Sequence, residues 1–226
     1  MKLKKIASLM LAGVMAVSML AGCGEGSSSS SSEPTNPVTP VATGIAGAVN
    51  AARNDYAKNS LKLTYNESSS LAEILQTVAQ DKYGKDSNAV KGIAGSDGYA
   101  DAEMVAIGDT MYSKISSKLA GGADAATSAN VKAIAKGTHK YVRIFTVGGN
   151  YSIQAAGNMI ATSADSGNRD LNDLVNDMPL QDTNNTLKAS YTADIAAVKV
   201  TSNVDSKVNA WVVAVVYTQT VADVKA

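Results

Sequence analysis

A chain of 226 residues, 45% of them hydrophobic, is long enough to bury a sizeable core. With one cysteine, one histidine and 20 basic against 20 acidic side chains, it lacks the ligands for a Cys/His zinc cluster, the second thiol for a disulfide and the basic excess that nucleic acid demands. No cofactor, no metal and no nucleic-acid partner is expected.

Lys2, Lys4 and Lys5 precede an apolar run from Ile6 to Leu20 that is shorter than the ~18 to 20 residues needed to span a bilayer. This is the pattern of a secretory signal peptide. It ends in Leu20-Ala21-Gly22-Cys23, the small-residue context in which a lipoprotein signal peptidase cuts. Residues 1–22 are therefore the expected signal peptide, and Cys23 the expected lipidation site and new N-terminus. Acyl chains contribute ~0.8 kcal/mol per buried CH₂, so two or more hold a protein stably on a membrane. The expected location is the extracellular face of a bacterial membrane, with the lipid anchor as the membrane partner. Cleavage removes three lysines and no acid, leaving 17 basic and 20 acidic residues; a net charge of −3 leaves anchoring to the lipid rather than to a basic patch.

Residues 23–40 form a linker: Ser27 to Ser32 are consecutive serines, and Pro34, Pro37 and Pro40 follow, a composition that cannot bury a core. Residues 41–226 are then one domain. Its opening predicts a helix from a Thr43 N-cap to about Lys58, on the spacing of Ile45, Val49, Ala52 and Tyr56. Ser70-Leu71-Ala72-Glu73 predicts a capping box for a second helix, with Gly84 as its left-handed cap. Glycine-rich sequence follows to Gly98. Met104, Ile107, Met111, Ile115 and Leu119 predict a third helix over 101–119, stopped by Gly121-Gly122. A short helix is expected over 128–136. Tyr141 to Val147 predicts a strand, Gly148-Gly149-Asn150 a turn, and Tyr151 to Ala155 the partner strand. Asp170 to Met178 predicts a helix stopped by Pro179. Ile195 to Thr201 and Val208 to Thr218 predict a hairpin, and Ala210 to Tyr217 is apolar at both parities, so that strand requires cover on both faces, with Trp211 buried. The expected class is α+β, a three-layer α-β-α sandwich with a mainly antiparallel central sheet.

Several segments together resemble the CAP superfamily, the SCP-like extracellular domain. Asn50-Ala51-Ala52-Arg53 resembles its N-x-x-R, Leu61 to Asn66 its L-x-x-L-x-Y-N, Phe145-Thr146-Val147 its F-T-V, and Ala156-Gly157-Asn158-Met159-Ile160-Ala161 its A-G-E-N-I-A. Asn185-Thr186-Leu187, Tyr191-Thr192 and the hairpin with Trp211 are similar to its closing elements. The resemblance implies a cleft of two histidines and two acids, able in some members to hold a divalent cation. Here Asn158 stands where the glutamate is expected and Asp182 where a histidine is expected, while His139 takes the place of the first histidine. Those three are the candidate cleft residues, and residues 84–138 are an insertion relative to compact members.

No catalytic residue is assigned. Nucleophilic catalysis needs a base beside its nucleophile, and the chain has one imidazole, no G-x-S-x-G and no S-x-x-K. Asp170, Asp173 and Asp177 share one helical face with Asp165, Asn168 and Asp182 nearby, but without the alternating ligands and glycine of an EF-hand loop, so they read as a solvated helix start. Gly92 to Gly98 lacks the spacing of a phosphate loop. The expected function is a membrane-anchored, non-enzymatic module that binds a small apolar, peptide or cell-envelope ligand. The alternatives are a cell-surface interaction protein using the 84–138 region and, ranked last, a hydrolase of peptide or wall material.

Overall fold

The structure is a computed structural model, and it describes residues 44–53, 63–84, 87–127, 130, 135–162, 184, 186–202, 205 and 207–224. The chain divides into two units, Met1–Pro40 and Val41–Ala226, and every described residue belongs to the second. Cys23, the linker, the expected helices at 128–136 and 170–178 and Asp182 lie largely or wholly outside the described residues. The class is α+β, built on a six-stranded sheet.

The elements are α1 (Ile45–Ala52), β1 (Tyr65–Glu67), α2 (Ser69–Tyr83), α3 (Ser87–Ala94), β2 (Glu103–Met104), α4 (Thr110–Ser116), β3 (Asp124–Ala125), β4 (Gly137–Gly148), α5 (Ile153–Thr162), β5 (Leu187–Thr201) and β6 (Asn209–Asp223). The sheet runs β1-β5-β6-β4-β2, with β3 also on β4. It is mixed rather than simply antiparallel: β5, β6, β4 and β2 form antiparallel ladders, whereas β1 on β5 and β3 on β4 are parallel.

Alternate residues of the three long strands feed two separate cores. Phe145, Val147, Ile195, Val213, Val215 and Tyr217 pack against Ile45 and Val49 of α1 and Ala156 and Ile160 of α5. On the opposite face, Ile144, Val198, Val212 and Ala214 pack against Leu75 and Val78 of α2, Val90 of α3 and Met111 and Ile115 of α4. Described residues of 84–138 are thus built into both cores, Val90, Met111 and Ile115 into the second and Ala102 and Ala126 into the first.

The local differences from expectation have identifiable causes. Helix α1 ends at Ala52, because Arg53 is extended (φ −62°, ψ 142°). Its N-cap is Gly44, and the first-turn N–H of Ala46 donates to Glu67 Oε2 at 3.2 Å, so a carboxylate from β1 does the work assigned to Thr43. The N-cap of α2 is Ser68, two residues earlier than the predicted box, and its Oγ accepts from Leu71 N at 3.3 Å. Ser68 is fixed there because its own N–H still pairs with Ile195 O at 3.0 Å. Gly84 ends α2 in a right-handed conformation (φ −68°).

The third helix shrinks to α4. Glu103 and Met104 pair with Thr146 and Phe145 of β4, and Val105 N donates to Ile144 O at 2.9 Å, so strand pairing takes the first half of the apolar repeat and leaves Ile107 40% exposed. Asp109 caps α4 through Met111 N at 2.8 Å and pairs with Lys82 of α2. Gly121 and Gly122 do close this stretch, both at positive φ (82° and 70°).

Tyr151 to Ala155 is not a strand. Ser152 Oγ accepts from Ala155 N at 3.1 Å and starts α5, and β4 pairs over its whole length with β6 instead. Helix α5 lies close against α1 because Gly157 has no side chain: a Cβ there would stand 2.3 Å from Ala48 Cβ. Trp211 is half-buried rather than buried. Its indole N–H donates to Tyr151 O at 2.9 Å, and Lys199 Nζ sits 4.7 Å from the ring centroid.

Gly157→Ala should therefore destabilise the domain by ~1 to 3 kcal/mol, the usual cost of overpacking, although alanine is the better helix former. Urea unfolding of the two proteins measures it, and a stabilised variant would contradict this helix pairing.

Candidate functional site

Asn50 of α1 and Arg53, the residue that ends that helix, both hold the segment leading into β1. Asn50 copies a strand partner, its Nδ2 donating to Tyr65 O at 2.9 Å and its Oδ1 accepting from Tyr65 N at 3.1 Å. Arg53, 4% exposed, donates from Nη1 to Leu63 O, and its guanidinium lies 5.3 Å from the Tyr65 ring centroid. A buried guanidinium needs such partners, since desolvation otherwise costs several kcal/mol. The two segments singled out as N-x-x-R and L-x-x-L-x-Y-N are thus neighbours in space, joined by side-chain-to-backbone bonds. Their role is to position β1.

Of the three candidate cleft residues, His139 lies on β4, opposite Gln219 of β6, and its Nε2–H donates to Ala135 O at 3.0 Å. Asn158 lies on α5, exposed, its Oδ1 3.4 Å from Gln154 Nε2. Asp182 is outside the described residues. His139 helps to line an open depression of about 490 Å³ that does not include Asn158, so no shared cleft of the three is described. Among the described residues, no group of three or more His, Cys, Asp or Glu side chains is placed to hold a metal ion, and no helix is long and apolar enough to cross a membrane.

The depression forms where the sheet opens. Strand β3 pairs with β4 only at Tyr141 and Val142, and Gly121-Gly122, with left-handed backbones, carry the preceding chain away from β4. The walls are Ser116, Ala123 and Asp124 on one side and Thr138, His139 and Lys140 on the other. Lys140 Nζ reaches across to Ala120 O at 2.8 Å. Val142 O and Ile144 O accept from Ala126 and Val105 on the outer side of β4, so its even-numbered residues turn their backbone groups outward. Thr138 continues that row past the end of β3, and its outward N–H and C=O have no strand partner among the described residues.

Beside His139, on the side of the sheet that carries α1 and α5, sequence reasoning missed a polar chain. Tyr141 donates to Gln219 Oε1 at 3.3 Å, and Gln219 Nε2 donates to Tyr191 Oη at 3.0 Å, with Gln219 wholly buried. The signal was a glutamine at an inward position of an apolar strand, two residues beyond Tyr217. Burial, above all, pushes both phenols above their ordinary pKa; the negative charge of Asp124 and, once it ionises, that of Tyr191 add to the shift at Tyr141, and the Gln219 bond pulls back at Tyr191. Both hydroxyls stay protonated at neutral pH, so they orient and donate rather than act as bases.

The chain matches no protein-family model, no curated protein and no solved structure.

The raised phenols set a pH dependence. Unfolded chains lose phenolic protons near pH ~10, before the folded protein does, so the stability these groups contribute is complete below about pH 10 and is lost as pH rises through the folded values. Unfolding free energy should fall on that limb, and Tyr191→Phe should make the fall shallower, the remaining slope coming from Tyr83, Tyr112 and Tyr141, whose pKa values burial also raises, and from Lys82, which desolvation pulls down but Asp109 holds up. An unchanged slope in Tyr191→Phe would contradict this assignment.

Proposed function

We propose that this chain is a membrane-anchored extracellular module with a CAP-like, three-layer α-β-α domain, held at the bacterial surface by lipid on Cys23, and that it binds an extended peptide or the peptide part of a cell-envelope component without turning it over. Two observations support the scaffold: helices cover both faces of the sheet, and the Asn50–Arg53 and Leu63–Tyr65 segments meet as hydrogen-bonded partners.

The observation that carries the ligand class is the outer edge of β4 at Thr138, which has no strand partner among the described residues and faces a polar depression of about 490 Å³. An extended peptide adds to such an edge through main-chain hydrogen bonds, while pockets take alternate side chains. The lining also favours peptide over a small apolar ligand, since Ser116, Asp124, Thr138, His139 and Lys140 are polar. Catalysis gains no support here: the ring of His139 donates to a backbone carbonyl, and the neighbouring tyrosines are held protonated.

Thr138→Pro is the discriminating variant. Proline removes the outward N–H, which no described ladder bond uses, and proline is tolerated on strand edges. The full-length protein in detergent, probed against an array of immobilised extended peptides, should bind a subset, and Thr138→Pro should weaken that binding about tenfold or more while unfolding at an unchanged urea midpoint. Equal binding by the variant would place the ligand elsewhere. The anchor is tested separately by metabolic labelling with a palmitate analogue, which should mark the wild type and leave Cys23→Ser unlabelled; a labelled variant would remove the lipid from the account.

A further inference from the structure

A second cavity, of about 250 Å³, lies between the end of α3 and the start of β6, lined by Lys91, Asp97, Asn150, Asp205, Lys207 and Asn209 and floored by the backbone of Gly95 and Gly98. Two lysines and two aspartates leave its lining without net charge, which disfavours a bound anion or metal ion. The carboxylates are partly engaged already: Asp97 Oδ1 accepts from Tyr99 N at 3.0 Å, and Asp205 Oδ1 from Lys207 N at 3.0 Å. Asn150 ties the two walls together, its Nδ2 donating to Asp97 O at 2.8 Å and its N–H to Gly98 O at 3.0 Å. Gly98 is required for that approach, since it has φ 79° and a Cβ would stand 2.5 Å from Asn150 Nδ2.

The residues that follow Gly98 and Asn150 are an aromatic pair. Tyr99 is 52% exposed, the most exposed large hydrophobic side chain among the described residues, yet it is held in place. Tyr151 meets it edge-to-face with centroids 5.3 Å apart, and the Tyr151 hydroxyl donates to Tyr99 O at 3.2 Å. Behind Tyr151, Trp211 donates its indole N–H to Tyr151 O at 2.9 Å. An exposed ring costs free energy, and a fixed one has already lost the entropy that binding would otherwise take.

We infer that this cavity and the aromatic pair next to its lining residues Gly98 and Asn150 form a saccharide site, taking one neutral pyranose unit of a glycan in the cavity with the adjoining unit laid on the ring of Tyr99. Planar amides and carboxylates beside lysine ammoniums supply the alternating donors and acceptors that vicinal hydroxyls need. An aromatic face supplies the apolar surface that the C–H face of a sugar ring matches. The volume lies below the ~300 Å³ at which pockets begin to bury drug-sized molecules, so it admits one ring and not a chain. This site is distinct from the β4 edge.

The test uses the full-length protein in detergent and Trp211 emission as the reporter. An N-acetylglucosamine tetramer and a maltose tetramer are the sugar probes, with inorganic phosphate and calcium as the charged ones. The account expects a saturable change with at least one tetramer, about tenfold weaker or more in Tyr99→Ala, largely retained in Tyr99→Trp and unaffected by Thr138→Pro. Unchanged far-UV circular dichroism shows that Tyr99→Ala is folded; should it not fold, Lys207→Ala, on an exposed turn, is read in its place with the same loss expected. Saturation by phosphate or calcium alone, no response to either tetramer, or full binding by the folded variant would each overturn the assignment.

Discussion

Strand β6 turns Val213, Val215 and Tyr217 to one side and Ala210, Val212, Ala214 and Val216 to the other, all buried. Each such valine is worth ~1.5 to 3 kcal/mol when fully covered, so neither face can be left to water and both need apolar cover. The rest of the arrangement follows. β5 and β4 flank β6 along its length, α1 and α5 close one face, and α2, α3 and α4 close the other. The short strands β1, β2 and β3 finish the edges only in part, so that among the described residues no strand pairs with the outer side of Thr138.

Polar joints, as well as apolar contact, tie elements on each face of the sheet. On one face, Asn50 of α1 and Arg53 just past its end clamp the approach to β1, while Glu67 of β1 returns the bond by capping α1. On the other, Asp109 caps α4 and pairs with Lys82 of α2; burial pushes its carboxyl upward, but Lys82, the Met111 N–H and Lys114 together hold it below the ordinary carboxylate range. In both joints a carboxylate satisfies helix-terminal N–H groups that have no partner within their own helix.

The parts legible in the sequence were those with a single period and no rival. The β5–β6 hairpin could be read because its two apolar runs flank an obvious polar turn, and α2 because four apolar positions recur without interruption. The misread parts were decided by distant partners. Met104 and Ile107 fit a helical repeat, but pairing with β4 claims residues 103–105, a bond across some 40 residues that no local pattern reveals. Tyr151 to Ala155 follows a good hairpin turn, yet β4 already had β6 on one side, so the chain after the turn was free to start a helix at Ser152. At the site, His139 drew attention as the lone imidazole, whereas the Tyr141–Gln219–Tyr191 chain needed the three-strand register to be visible at all. Tyr99 and Tyr151 are 52 positions apart and meet only in the fold.

The open edge of β4 is the claim on which the functional reading rests, and amide hydrogen exchange of the full-length protein tests it at single residues. The N–H of His139 should point to β6 and exchange slowly, near the rate of the β6 core amides; the N–H of Thr138, pointing outward, should exchange rapidly and slow only when peptide is bound. Protection of Thr138 equal to that of His139 in the free protein would mean that the edge is already covered, and would contradict the account.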